Sequence, residues 1–268
     1  MAIRPKTLAV GVCPVVMGTV LAFRDGLAVW WVAGLALLGA VLVQIGTNLA
    51  NDYYDFKKGA DTEDRLGPVR VTQSGLIRPE GVKRAFLGCF SGFFLVALIL
   101  MIRGGWPLLA IGISSVFFGW LYTGGPYPLA YLGLGDVAAL VFFGPVAVAG
   151  TYFVQALSVS WGVIGIGIAP GLFSVAILAV NNLRDIEQDR VASKKTLAVR
   201  FGKLFVILEY GLSLILACWI VGGLTWLVLV AALPVFKVVL TENGRVLNRA
   251  LAQTGGLLVL FTVLFCLK

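Results

Sequence analysis

Nine stretches of this 268-residue chain are long enough and apolar enough to cross a bilayer, and that repetition restricts the fold more than any other feature. A hydrocarbon core about 30 Å thick needs about 20 residues of helix to span it. Inside it every backbone N–H and C=O must be satisfied within the segment, which leaves helices for an open chain of this kind. The expected spans cover residues 8–23, 28–50, 85–102, 106–123, 134–156, 161–183, 204–222, 224–240 and 249–267. Only 13% of residues are charged and the mean hydropathy is +0.96, whereas a soluble domain carries roughly a quarter of charged residues. The reading is an all-α integral membrane protein in which residues 1–268 form one domain of nine transmembrane helices, in contact with membrane lipid. The first span follows Arg4 and Lys6 but has no small-residue cleavage site after it, so it reads as a retained helix.

The distribution of charge orients the helices. All of the 21 Lys and Arg except Arg24, Arg103 and Lys268 fall in the segments on the amino-terminal side of the membrane. By the positive-inside rule that side is cytoplasmic, and an odd number of spans puts the carboxyl terminus outside. The net charge of +8 is therefore a juxtamembrane excess, and nucleic acid is not expected as a partner. No histidine is present, which excludes imidazole acid–base chemistry and His-ligated zinc or haem. Cys13, Cys89, Cys218 and Cys266 sit singly in apolar runs without CxxC spacing and read as small hydrophobes.

Against this basic background, every acid except Asp25, Asp136, Glu209 and Glu242 falls in two loops of the same cytoplasmic side. The first group ends span two: Asn48-Leu49-Ala50-Asn51-Asp52-Tyr53-Tyr54-Asp55. If the helix continues through it, Asn48 and Asp52, Asn51 and Asp55, and Asp52 and Asp55 share one face. The second ends span six, where Asn181, Asp185 and Asp189 repeat at i, i+4, i+8 beside Asn182. A lone juxtamembrane Asp is ordinarily a solvated loop residue, but oxygen ligands repeated at helical spacing on two ends are not explained that way. Oxygen-only sets suit Mg²⁺, which binds through one or two carboxylates plus a substrate phosphate. Two such faces across a cavity would hold a diphosphate through bridging Mg²⁺.

Around these faces lie candidates for phosphate contacts: Lys57, Lys58, Arg65 and Arg70 in the loop 56–84, and Lys194 and Lys195 within two turns of Asp189. For Lys57 and Lys58 the positive-inside excess is an equal explanation. The segment Tyr122-Thr123-Gly124-Gly125-Pro126-Tyr127 through Asp136 has no Lys or Arg, and is expected to pack over the cavity. Asp136 reads first as a helix cap and second as an acid of the site. Segments of about 51–84, 124–135 and 184–203 would together cap the cavity on the cytoplasmic side.

Asn51-Asp52-x-x-Asp55 and Asp185-x-x-x-Asp189, each at the end of a membrane helix, resemble the two aspartate-rich motifs of the intramembrane aromatic prenyltransferases, the UbiA superfamily. Within it the segments Arg4-Pro5-Lys6-Thr7-Leu8, Asn51 through Gly75, Tyr122 to Tyr127 and Asn181 through Gly202 are most similar to the 1,4-dihydroxy-2-naphthoate polyprenyltransferases. Ser193 departs from the resemblance, standing where glycine is frequent. The resemblance implies nine helices around a central cavity open to the cytoplasm, Mg²⁺ as cofactor, and polyprenyl diphosphate and an aromatic acceptor acid as substrates. It implies that Asp52, Asp55, Asp185 and Asp189 are the metal ligands, assisted by Asn48, Asn51, Asn181 and Asn182, and that Lys57, Arg65, Arg70, Lys194 and Lys195 stabilise the leaving diphosphate. Tyr122 and Tyr127 would line the prenyl and acceptor pocket and shield an allylic cation; an interfacial aromatic belt is the competing account of both. The ring would then lose its carboxyl as CO₂, the step that leads to demethylmenaquinone. Homogentisate, 4-hydroxybenzoate or a tetrapyrrole are alternative acceptors. A divalent-cation transporter would place acids at mid-membrane, where spans three, four, eight and nine have none.

Overall fold

A computed structural model describes residues 5–59 and 66–268. Nine long helices carry the architecture: α1 (Pro5–Arg24), α2 (Trp30–Lys57), α3 (Pro79–Gly104), α4 (Trp106–Leu121), α5 (Gly135–Ala156), α6 (Trp161–Arg184), α7 (Leu197–Val221), α8 (Gly223–Thr241) and α9 (Gly244–Cys266). Eight have the length and hydropathy to cross a membrane, and α4 is a shorter apolar helix of 16 residues. No strand occurs among the described residues.

The helix count agrees with the expectation, and the ends differ where polar residues extend helices past the apolar run. Helix α2 continues beyond residue 50 to Lys57, so the Asn/Asp group is helical. Helix α3 starts at Pro79, whose missing N–H costs nothing in a first turn, and α7 starts at Leu197 under the side chain of Thr196, which accepts from the Val199 amide. Gly202 bends α7, with φ 77° and ψ −176°. Helix α5 is interrupted by a π turn at Phe142–Val146, where Gly144 leaves helical geometry beside Pro145.

That interruption packs against the most enclosed helix, α6. A Cβ on Gly171 would collide with the Leu140 carbonyl, and one on Gly167 with the Pro145 backbone. Two glycines four apart thus let α5 and α6 approach closely, the small-residue packing that membrane helices use where no hydrophobic force drives them together. Helix α1 packs on α2, α5 and α9, and α6 also contacts α7 and α9. Helices consecutive in the chain run in opposite directions, so the carboxyl ends of α2, α4, α6 and α8 share one end of the bundle.

The three basic residues outside the main excess explain themselves at the opposite end. Arg24 donates to the Phe265 carbonyl, Arg103 to those of Val154 and Gln155, and Lys268 to that of Val221. Each satisfies carbonyls of a last helical turn, which have no intrahelical partner and carry partial negative charge.

Candidate active site

The end of α2 supplies the first wall. Gln44, Thr47, Asn48, Asn51 and Asp55 line a central cavity. At 100° per residue Asp52 falls at the margin of that face. Its carboxylate does not line the cavity: it accepts the backbone amides of Val71 and Thr72, each at 3.1 Å, and the residue is only 3% exposed. The same turn carries Arg70, whose guanidinium returns to Asp55 Oδ2 at 2.8 Å, a pair with both side chains buried. Asp52 therefore fixes the backbone that presents Arg70 to Asp55. Asp52 and Asp55, both expected as metal ligands, thus have different surroundings, Asp55 facing the cavity and Asp52 the loop.

The end of α6 supplies the second wall. The helix stops at Arg184, Asp185 adopts φ −100° and ψ 13°, and a short helix follows at Ile186–Val191. The single helical face expected for Asn181, Asp185 and Asp189 is thus two segments, held in register by the Asp189 amide on the Asp185 carbonyl at 2.8 Å. Ser193 then turns the chain with φ 56°, the left-handed conformation that explains why glycine is frequent there. The turn brings Lys194 back over the acids.

Lys194 Nζ lies 3.6 Å from Asp189 Oδ1 and 3.7 Å from Asp55 Oδ1. One ammonium is shared by the two helix ends, which places both acidic groups on the same end of the bundle and across one opening. Burial pushes the Asp189 carboxyl up to about 6, Lys194 opposes this, and the charges of Asp185 and Asp55 add to it. Arg184, 3% exposed, organises the rest of the second wall. Its guanidinium donates to both oxygens of Asp185, to Asn181 Oδ1 and to Asn248 Oδ1. Asn248, on α9, donates in turn to the Leu66 carbonyl at 2.7 Å.

The segment between α4 and α5 closes the third side. Thr123 donates to Asn51 Oδ1 at 2.7 Å, and Tyr131 donates to Asp55 Oδ1 at 3.3 Å. The Tyr131 ring lies under the ammonium groups of Lys58 and Lys194, 4.6 and 5.1 Å from its centre. Lys58 also donates to the Thr123 carbonyl. Its pKa is lowered, first by burial and further by Lys194, while Asp55 acts in the opposite sense. The Lys195 amide and the Arg200 guanidinium bond to the Tyr131 and Leu132 carbonyls, pinning this segment to the α6–α7 connection.

Of the residues expected in the site, Asn48, Asn51, Asp55, Arg70, Tyr122, Asn181, Asn182, Asp185, Asp189 and Lys194 line the cavity. Lys57 does not: it is exposed, with its ammonium 5.7 Å from the Tyr53 ring centre, as the positive-inside excess requires. Lys195 is also exposed and contributes its backbone, and Tyr127 is 71% exposed at the tip of its turn. Arg65 lies outside the described residues. Arg184, Thr123, Tyr131 and Asn248 join the site without being expected from the sequence. Arg184 stands inside the second motif and Tyr131 inside the Tyr/Gly/Pro segment, whereas nothing in the sequence around Asn248 marks it.

Below this polar mouth the cavity, of about 840 Å³, continues between α1 to α6 and becomes apolar, lined by Val15, Ala36, Val96, Leu100, Leu108 and Val154. No three carboxylates converge among the described residues. Each wall instead offers carboxylates with an amide: Asp55 with Asn51, Asp185 and Asp189 with Asn181, and the buried Gln188 Oε1 has no hydrogen-bond partner. This hard oxygen set fits a divalent cation completed by a phosphate rather than by protein alone. In this structure Lys194, Arg70 and Arg184 supply the positive charge between and around the acids.

Residues 11–265 match the UbiA prenyltransferase family. The chain is 46% identical to the 1,4-dihydroxy-2-naphthoate octaprenyltransferase of Mycobacterium tuberculosis over 199 residues, covering 74% of this chain and 68% of that relative. Its Escherichia coli namesake is 41% identical, covering 85% and 74%. Among solved structures, a UbiA homolog from Archaeoglobus fulgidus bound to GPP and Mg²⁺ superposes with a TM-score of 0.64 at 17% identity, over 98% of this chain and 96% of that one. At that identity the likeness concerns the fold.

Proposed function

This chain belongs to the UbiA prenyltransferase family and is a membrane-embedded prenyltransferase, and we propose that it transfers a polyprenyl group from polyprenyl diphosphate to 1,4-dihydroxy-2-naphthoate, with loss of CO₂, in menaquinone biosynthesis. The observation that carries the reading is Lys194 shared between Asp55 and Asp189, at the mouth of a cavity whose floor is apolar. A diphosphate needs cations and an isoprenoid tail needs a greasy chamber, and the cavity has one above the other. The activity for which these relatives are named supports the acceptor.

Asp55, Asp185 and Asp189, with Asn51 and Asn181, would hold Mg²⁺. When bound, the metal supplies Lewis-acid stabilisation of the departing diphosphate. Lys194 and Arg70, already at the mouth as charged donors, stabilise the same charge as the allylic C–O bond lengthens. Asp52 keeps Arg70 in place from outside the cavity. Tyr122 lines the wall beside the reacting carbon, and the apolar floor orients the chain and excludes water from the allylic centre. The acceptor ring attacks that carbon, and departure of its carboxyl as CO₂ restores aromaticity.

The basic excess around the mouth supports a cytoplasmic amino terminus and active site, with the carboxyl terminus outside. A carboxyl-terminal alkaline phosphatase fusion should be active and a fluorescent-protein fusion dark; the reverse pair overturns the orientation. The acceptor is tested with purified protein, Mg²⁺, one polyprenyl diphosphate, and 1,4-dihydroxy-2-naphthoate, homogentisate and 4-hydroxybenzoate offered separately. Prenylation of the naphthoate is expected, and prenylation of 4-hydroxybenzoate alone would overturn the assignment.

A further inference from the structure

We propose that Asp136 is the residue that receives the acceptor's ring hydroxyl and takes its proton as the new carbon–carbon bond forms. The inference rests on the prenyl-transfer reading above but not on which hydroxylated aromatic is the acceptor.

Asp136 is not the helix cap that its position suggests. The capping position of α5 is Leu134, and no side chain caps the helix there. The Asp136 side chain instead lines the cavity, is 6% exposed, and leaves Oδ1 without a hydrogen-bond partner. No Lys or Arg forms an ion pair with it among the described residues, and the one charged side chain on which it acts is another acid, Glu209 on α7. A buried carboxylate oxygen without a donor is costly, so its presence in a cavity wall calls for a ligand that brings one.

Its height in the cavity selects the ligand. A Cβ on the neighbouring Gly135 would meet Tyr122 Oη at 3.2 Å and Leu178 Cδ2 at 3.5 Å. Leu178 is about one helical turn below Asn181 on α6, so Asp136 sits beneath the acidic mouth and beside the wall that Tyr122 forms. Three chemistries enter the cavity. A diphosphate is repelled by a carboxylate, and a polyprenyl tail has no donor. A hydroxylated aromatic acid carries one, and it must lie beneath the diphosphate to reach the allylic carbon.

In the step, the allylic carbon's bond to the diphosphate oxygen breaks and its bond to the ring carbon bearing the carboxyl forms, while the ring hydroxyl proton passes to Asp136 and the oxygen becomes a ketone. Loss of CO₂ returns the electron pair to the ring, and the proton returns from Asp136 to the oxygen. Diphosphate and CO₂ leave, and Asp136 ends as it began. General-base contributions of this kind are typically about 10²- to 10⁴-fold.

The test compares wild type, Asp136→Asn and Asp136→Glu on whichever hydroxylated aromatic acid the wild type prenylates, so a wrong acceptor assignment appears as a different wild-type substrate and leaves this comparison intact. Asp136→Asn should lower kcat/KM for the acceptor by about 100-fold, with metal-dependent binding of the polyprenyl diphosphate unchanged, and Asp136→Glu should retain more activity than Asp136→Asn. An acceptor with the hydroxyl replaced by methoxy should be a poor substrate of the wild type and lose no more with Asp136→Asn. A kcat/KM within threefold of wild type in Asp136→Asn, an equal loss for the hydroxyl and methoxy acceptors, or a parallel loss of diphosphate binding would overturn the proposal.

Discussion

At the end of α2 the acids are held from outside, by a loop that wraps back onto the helix; at the end of α6 they are held from within, by one arginine of the helix itself. Asp52 accepts two loop amides and the loop returns Arg70 to Asp55, so the first wall depends on a segment about 15 to 20 residues further along the chain. Arg184 reaches Asp185 and Asn181, its neighbours by one and three residues, and then Asn248 on another helix. The first wall is therefore rigid only while its loop is docked, and the second as long as α6 is helical. Two aspartates three apart on α2 consequently differ in surroundings, one facing the cavity and one facing the loop.

The largest effect that would sharpen this contrast is expected at the cavity-facing acids. Asp55→Asn or Asp189→Asn should lower prenyl transfer at least about 10³-fold, the scale on which removal of one electrostatic stabiliser acts, with helical content unchanged by circular dichroism. Arg184→Ala should destabilise the protein by about 3 kcal/mol, since it removes a buried guanidinium and leaves the partly buried Asp185, with Asn181 and Asn248, without its donor, read as a lower midpoint of thermal unfolding in detergent. Asp52→Ala should cost about 2 kcal/mol through two unsatisfied loop amides and raise protease sensitivity within residues 66–78, while activity falls far less than in Asp55→Asn. Equal losses in the Asp52 and Asp55 variants would erase the distinction between the two aspartates. Tyr131→Phe, which keeps the ring under Lys58 and Lys194 but removes the bond to Asp55, should cost about 1 kcal/mol or less. Ser193→Gly should stabilise the fold by about 1 kcal/mol by relieving the left-handed backbone.

The sequence reveals the helices because apolar runs of bilayer length have few alternatives, and it reveals the site because carboxylates and amides repeat at helical spacing against a basic background. The side of the helix on which a margin residue falls is harder to read. Asp52 and Asp55 are within one face by spacing, and the difference between them arises from a loop that docks on one edge. The break after Arg184 was hidden because Asp189 keeps its i+4 bond to Asp185 across it. Lys57 and Lys195 belong to runs of two lysines in which only the partner, Lys58 or Lys194, reaches the Tyr131 ring, and spacing alone does not say which of two adjacent residues that is. Asn248 enters through tertiary packing alone. Asp136 looks like a cap because it opens a helix, and only its burial and its unpaired oxygen distinguish it from one.

The most direct test of the shared mouth is calorimetric binding of a non-reactive polyprenyl thiolodiphosphate, with and without Mg²⁺, to the wild type, Asp55→Asn and Asp189→Asn. Metal-dependent binding that weakens at least about tenfold, or roughly 1.4 kcal/mol, in each variant alone is the predicted result, because one diphosphate touches both helix ends. Wild-type affinity in either variant, or binding indifferent to Mg²⁺, would contradict it.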